Sequence, residues 1–303
     1  MSLLSGDLTT PGRVANWMAN PPALPSPILS QLIGSMTGLI YSKLNRARVF
    51  NQTFTRIFDG VGNMQLVLPD YPVTSVISVQ QGSVVIPPSA LPNINQTQPA
   101  GTNFGYGYRV VPWDGNLPGA NATLEFVNGF FYTAPQSVRV IYQAGYLISN
   151  EVAVVPSSPG PYTVLVQQPQ GIWSRDNGVT YANGTALVPV ATITGAGQYI
   201  PPTDTNPGLY TFGVADATQS LLISYSFIPS PLEEACIQLV AERYSYRNRV
   251  GEISKSLGGQ ETITFMRGGS NSAFRRSSNL PPEVMDMIWD YVSVVYPNVG
   301  APL

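Results

Sequence analysis

The sequence contains no histidine, one cysteine and few charged residues, and each shortage narrows the chemistry that the chain can perform. Histidine is the commonest general base and the commonest transition-metal ligand, so both of those roles lose their usual residue. Cys236 cannot form an internal disulfide, and no histidine is present to activate it as a nucleophile. Because Cys236 falls on the apolar face of a predicted helix, we expect a buried structural thiol.

Charged residues make up 11% of the chain, against about a quarter in typical soluble domains, and the net charge is −2. A chain of this charge has no general attraction for polyanions, so any contact with nucleic acid must be local. The 28 glycines and 28 prolines indicate many turns and short strands. The low charge also suggests surfaces that neighbouring molecules cover.

Long apolar runs are missing as well. No stretch approaches the roughly 20 apolar residues that span a bilayer, and the first residues lack a basic segment followed by an apolar one. We therefore expect a protein made in the cytosol that does not contact membranes. No spacing of cysteines or acids matches a zinc or calcium motif, so we predict no metal and no cofactor.

Proline-initiated helical patterns occur near both ends of the chain. The apolar spacing predicts a short helix from Pro11, a longer one from about Pro27 to Asn45, one from about 230 to 249, and a terminal one from 281 to 295.

Between these helices the apolar period changes to two, which predicts β-strands. We expect a β-hairpin around the turn Asp59-Gly60, followed by strands within residues 73–79, 84–86, 106–111, 122–127 and 138–142. From 145 to 227 turn signals recur about every ten residues, which is typical of a small β-sandwich or barrel.

These patterns predict an α+β protein in two parts. The first, residues 1–146 and 228–303, is predicted as a layer of N-terminal and C-terminal helices packed with a β-core. The second, residues 147–227, is predicted as an inserted all-β sandwich or barrel-like domain. Residues 251–279 lack apolar periodicity, and we interpret them as a long arm of the first part.

Paired carboxylates offer the main enzymatic alternative. Asp114 with Glu125, or Asp176 with Asp216, could act as acid and base in a carbohydrate-active enzyme. Acids are sparse, however, and turn positions explain Asp114 and Asp176 without catalysis. We therefore predict no catalytic residue.

Aromatic residues cluster in the middle of the first β-rich part. A stacking platform for sugars or bases would use such residues, but their alternation with polar residues favours packing in a β-core and between subunits. The aromatic residues concerned are Phe104, Tyr106, Tyr108, Trp113, Phe130, Phe131 and Tyr132.

Nearly half of the 15 cationic residues lie in one short stretch near the C-terminus. They could bind an acidic protein surface, line a channel for DNA, or form a solvated face. We assign to a docking arm the residues Lys255, Phe265, Arg267, Arg275 and Arg276. We assign to a channel or an interface the cations Arg243, Arg247 and Arg249.

Several phrases of the sequence carry a family resemblance. They are Leu8-Thr9-Thr10 with Trp17-Met18, Tyr41 to Arg46, Gln52 to Gly60, Leu66 to Pro69 with Tyr71 to Val76, Val138 to Tyr146, Ile228 to Tyr244, and Leu280 to Val284. In this order they resemble the head-tail connector proteins of tailed bacteriophages. The likeness covers roughly residues 1–146 and 228–295, and residues 147–227 depart from it.

The resemblance implies a structural virion protein of the viral neck, made in the host cytoplasm. It implies a homo-oligomeric ring of twelve copies, with the portal protein and tail or neck proteins as further partners. An axial channel would bring transient, non-specific contact with phage DNA. A baseplate or tail-fibre subunit is the rival interpretation, in which the inserted domain binds a receptor or a tail protein.

Overall fold

The structure, a computed structural model, describes residues 6–20, 22–46, 48–89, 105–111, 122–203, 206–247, 254–257, 261–264 and 280–292. It combines helices with several antiparallel sheets, so the predicted α+β class is confirmed. Across these residues, no helix is both long enough and apolar enough to cross a bilayer.

The helices begin where the sequence places proline start signals. They are α1 (Pro11–Trp17), α2 (Pro27–Leu44), α3 (Ser230–Tyr246) and α4 (Pro282–Ile288), with a 3₁₀ turn at Trp289–Tyr291. The hydroxyl of Thr10 accepts from the backbone N–H of Arg13 at 3.4 Å, and that of Ser26 accepts from Leu29 at 3.4 Å. These side chains satisfy backbone donors that a helix start leaves unpaired.

The first β-region forms two sheets. Its strands are β1 (Gln52–Gly60), β2 (Gln65–Val67), β3 (Val73–Gln81), β4 (Val84–Ile86), β5 (Gly107–Val111), β6 (Thr123–Val127) and β7 (Ala134–Ala144). One sheet has the order β1-β7-β3-β4 and the other has the order β2-β6-β5. All of these neighbouring strands are antiparallel.

The predicted hairpin around Asp59-Gly60 is wrong. Strand β1 pairs with β7, while β2 pairs with β6 in the other sheet. The apolar side chains of Phe58 and Leu66 therefore reach the same buried cluster from two sheets. A tight hairpin would instead place both strands in one sheet.

The second β-region also contains two sheets. Its strands are β8 (Leu147–Val154), β9 (Thr163–Leu165), β10 (Gly171–Tyr181), β11 (Val188–Pro189), β12 (Gln198–Ile200), β13 (Leu209–Phe212) and β14 (Ser220–Pro229). The sheet orders are β10-β14-β8 and β11-β12-β13-β9. The sequence predicts strands within residues 162–167, 187–193, 197–200, 208–212 and 221–227, and β9, β11, β12, β13 and β14 lie there. The sequence pattern misses β8, whose side chains are exposed or half-buried with weak alternation, and most of β10, whose first four residues are all buried.

A two-stranded sheet of β15 (Ser254–Leu257) and β16 (Glu261–Thr264) lies within the predicted arm. Its strands are antiparallel, and Lys255 is paired in register with Ile263.

Buried apolar residues fall into two clusters. The first contains only side chains of residues 54–144, from the strands of the first β-region and the connections next to them. The second joins side chains of all four helices to those of the strands between 147 and 229. The helices thus share a core with the second β-region, whereas the sequence predicts that they pack with the first. The predicted insertion boundaries at 147 and 227 stay predictions.

Candidate assembly surface

Two of the predicted interface cations lie at the end of α3. The guanidinium of Arg247 lies 3.7 Å from the ring centre of Tyr244 and donates to the Tyr244 carbonyl oxygen at 2.9 Å. Arg243 is exposed one turn earlier. A cation stacked on its own helix end is an ordinary C-terminal arrangement, and it leaves the charge at the surface.

The other predicted cations are placed only in part. The backbone of Lys255 belongs to β15. Arg249, Phe265, Arg267, Arg275 and Arg276 lie outside the described residues, so their assignment to a channel, an interface or a docking arm stays a prediction.

One end of the first β-region carries a group of exposed apolar side chains, which we call the aromatic end. Its members are Val61, Met64, Tyr106, Phe130 and Tyr132, which are 37% to 61% exposed. They lie at the connection between β1 and β2, just before β5, and at the connection between β6 and β7.

Backbone hydrogen bonds fix the connections that form the aromatic end. The N–H of Gly62 donates to the carbonyl of Phe131 at 2.8 Å, and the N–H of Phe131 donates to Asn63 at 2.9 Å. A Cβ added to Gly60 would lie 1.8 Å from the carbonyl oxygen of Tyr132, so only glycine permits this close approach. The aromatic end is therefore attached to the β-core rather than carried on a free loop.

The predicted aromatic cluster divides into a buried and an exposed set. Tyr108 and Phe131 are buried, and Phe131 packs against Phe126 with ring centres 5.4 Å apart. Phe130 and Tyr132 point the other way and contact each other edge to face at 5.5 Å. The alternation places residues 130 and 132 outside and 131 inside. Phe104 and Trp113 lie outside the described residues.

The carboxylates proposed as catalytic pairs have other partners. Glu125 accepts from the guanidinium of Arg109 at 2.6 Å across β5 and β6. Asp216 is buried and accepts from the hydroxyl of Tyr181 and the N–H of Gly197. Asp176 belongs to a separate network, and Asp114 lies outside the described residues.

Asp176 connects the two sheets of the second β-region. From β10 it accepts from the hydroxyl of Tyr199 on β12 at 2.6 Å and from that of Tyr210 on β13 at 3.1 Å. The indole N–H of Trp173 donates to the same Tyr210 oxygen at 3.2 Å. Burial, followed by the hydrogen bond to Asp176, raises the pKa of Tyr199 above its usual value. This hydrogen-bonded group of Asp176, Tyr199, Tyr210 and Trp173 holds the two sheets together, and we call it the staple.

Cys236 lies in the second apolar cluster on α3 and is fully buried. Its sulfur is 3.8 Å from the hydroxyl of Thr37 on α2. Burial raises the pKa of the Cys236 thiol to about 12, which keeps it protonated at neutral pH.

Two buried charges did not stand out in the sequence. Arg46 is only 7% exposed, and its guanidinium lies 4.1 Å from the ring centre of Tyr71 and 5.5 Å from that of Tyr146. Glu233, which is 4% exposed at the start of α3, accepts from both Arg13 and Thr9. In the sequence Arg46 simply follows the predicted helix 27–45, and nothing indicates its burial because its ring partners are distant in the chain.

Comparison with known proteins finds no match, either to a protein-family model or to a curated protein sequence. Within the described residues, no three histidine, cysteine, aspartate or glutamate side chains lie close enough together to hold a metal ion.

Proposed function

We propose that this chain is a structural subunit that assembles with copies of itself and with other virion proteins, as a head-to-tail adaptor between the portal and the tail. The observation that carries the proposal is the aromatic end, an apolar surface attached by backbone hydrogen bonds to a rigid β-core. Exposed apolar patches of this kind mark surfaces that contact other proteins.

The family resemblance gives the proposal its particular form. The helix starts at Pro11, Ser230 and Pro282 lie within or beside the phrases that resemble connector proteins. A twelve-copy ring with an axial channel, portal and tail partners, and transient DNA contact are the parts of the proposal that derive from this resemblance alone. The interpretation of the second β-region as an insertion belongs to the same proposal.

A baseplate or tail-fibre subunit is the second candidate. The exposed aromatic end would suit either kind of subunit, because both assemble through apolar contacts. The architecture of the assembly must therefore distinguish the adaptor from the baseplate or tail-fibre subunit. Electron microscopy of the purified chain, alone and mixed with portal complexes, provides that test. Rings seated on portals support the adaptor, and fibres or trimers support the rival.

The predicted docking arm is tested in the phage itself. Deleting residues 251–269 should prevent heads from joining tails if the arm docks on another protein. Replacing Arg275 and Arg276 with Glu examines the charge of the arm separately. Normal joining by the deletion variant would rule out the docking role while leaving a ring intact.

A further inference from the structure

We infer that the aromatic end of one copy docks on a second apolar surface of the next copy, so that subunits join head to tail. This second surface, which we call the helix surface, is defined by three exposed apolar side chains that are close in the chain: Trp17 at the end of α1, Leu24 in the connection, and Ile28 in the first turn of α2. The inference rests on the proposed ring and names the two surfaces that would form its junctions.

The aromatic end is large enough to form the centre of an interface. Its five side chains are about half exposed, and aromatic side chains offer about 150–250 Å² each, so together they present on the order of 500 Å² of apolar area. A stable interface buries about 800 Å² on each partner. The polar residues around the patch, including Asn63 and Asn128, can supply the remaining rim.

The absence of charge at the aromatic end restricts its partner. Residues 60–69 and 126–138 contain no Asp, Glu, Lys or Arg. A nucleic acid or an anionic lipid surface needs basic residues, so neither suits this patch. The partner surface must be apolar and uncharged as well.

The helix surface of the same chain meets that requirement. Residues 14–42 contain no charged side chain, and Trp17, Leu24 and Ile28 are 56%, 50% and 53% exposed. The charge that precedes this segment in the chain is Arg13, one turn before Trp17, and Glu233 neutralises it with two hydrogen bonds. Two uncharged apolar surfaces can meet without burying an unpaired charge.

Other exposed apolar residues are weaker candidates. Ile77, Val84 and Val85 on β3 and β4 are aliphatic, and valine and leucine are under-represented among residues that dominate binding energy. Trp289 is 67% exposed, but the short segment that contains it also carries the acids Glu283, Asp286 and Asp290. Tryptophan and tyrosine on uncharged surfaces are the best anchors.

The location of the two surfaces favours a head-to-tail contact. The aromatic end belongs to the core of the first β-region, whereas the helix surface belongs to the core that contains the helices. A symmetric dimer through either surface would leave the other exposed. A head-to-tail junction uses both surfaces of every subunit, and such junctions produce a closed ring when the rotation permits.

Two double variants of the full chain test the inference by light scattering after size exclusion. Phe130→Ser with Tyr132→Ser removes the aromatic end, and Trp17→Ser with Ile28→Ser removes the helix surface. Val84→Ser with Val85→Ser is the matched control, since those side chains are equally exposed. A cooperative thermal unfolding transition shows that each variant is folded. The single variants Tyr132→Ser and Ile28→Ser replace any double variant that does not fold.

We expect the unmodified chain and the control to form a large oligomer and each surface variant to be monomeric. An equimolar mixture of the two surface variants should form dimers only, because one intact junction remains between them. Large oligomers in either surface variant, or a mixture that stays monomeric, would overturn head-to-tail docking and leave the ring itself standing. An unmodified chain that is monomeric at every concentration would overturn head-to-tail docking, and the adaptor proposal would then be decided by the micrographs of portal complexes.

Discussion

Glu233 and Cys236 lie one turn apart on α3 and show how a single buried side chain can connect distant parts of the chain. Glu233 holds Arg13 and Thr9, which are more than two hundred residues away, and Cys236 packs against α2. Neither has the surroundings of a catalytic group: Glu233 is neutralised by an arginine, and the thiol is kept in its neutral form.

Replacing Glu233 with Ala should lower the free energy of unfolding by about 1–3 kcal/mol, because Thr9 is buried and loses its acceptor. Arg13 is half exposed and regains water, which limits the loss. Urea denaturation measures the effect. The neighbouring exposed acid provides the control, since Glu234→Ala should change stability by less than about 0.5 kcal/mol. Equal losses in both variants would contradict a stabilising role of the hydrogen bonds that Glu233 accepts.

Cys236 should be unreactive toward a thiol reagent at pH 8 in the folded protein and should react fully in denaturant. The reason is that burial both blocks access and holds the thiol protonated. Labelling followed by mass measurement gives the answer. Rapid labelling without denaturant would show that α2 and α3 open readily.

At the scale of helices and strands, the sequence predicts starts better than pairings. The start of α2 is visible because Ser26 and Pro27 act on their own helix. The partner of β1 is not visible, because Phe58 pairs with Val138, eighty residues further along. For the aromatic end, alternation indicates that the aromatics pack, but only the folded structure shows that Phe130 is exposed while Phe131 is buried.

The staple between the two sheets of the second β-region gives a prediction for this scale. Asp176→Ala should lower the free energy of unfolding by about 1–3 kcal/mol, because the hydroxyls of Tyr199 and Tyr210 lose a charged acceptor. Arg175→Ala, on the exposed side of the same strand, is the control and should be close to neutral. Chemical denaturation of both variants tests this, and an unchanged midpoint for Asp176→Ala would count against the staple.

For the molecule as a whole, buried tyrosines make stability depend on pH in the alkaline range. Tyr142, Tyr199, Tyr210 and Tyr225 have raised pKa values, in each case mainly because burial disfavours the phenolate. Burial likewise raises the pKa of Tyr71 and of Tyr291 to about 12. In the unfolded chain each tyrosine ionises near its usual pKa of about 10.

These tyrosines should therefore leave the free energy of unfolding unchanged below about pH 10. Above about pH 10 they should lower it progressively. The folded state then holds protons that the unfolded state releases, so each further pH unit favours unfolding. Urea denaturation between pH 8 and 11, with phenolate absorbance recorded in parallel, measures both events. Full ionisation of the tyrosines near pH 10 with the fold intact would contradict the assignment.

Arg46 lies where the parts of the molecule meet. Its guanidinium contacts Tyr71, in the connection between β2 and β3, and Tyr146, which belongs to the core shared with the helices. The aromatic end extends from one of these regions and the helix surface from the other. The angle between the two surfaces fixes the curvature of a head-to-tail assembly, and curvature fixes how many copies close a circle. In such an assembly an arginine stacked between the two regions would influence the number of subunits.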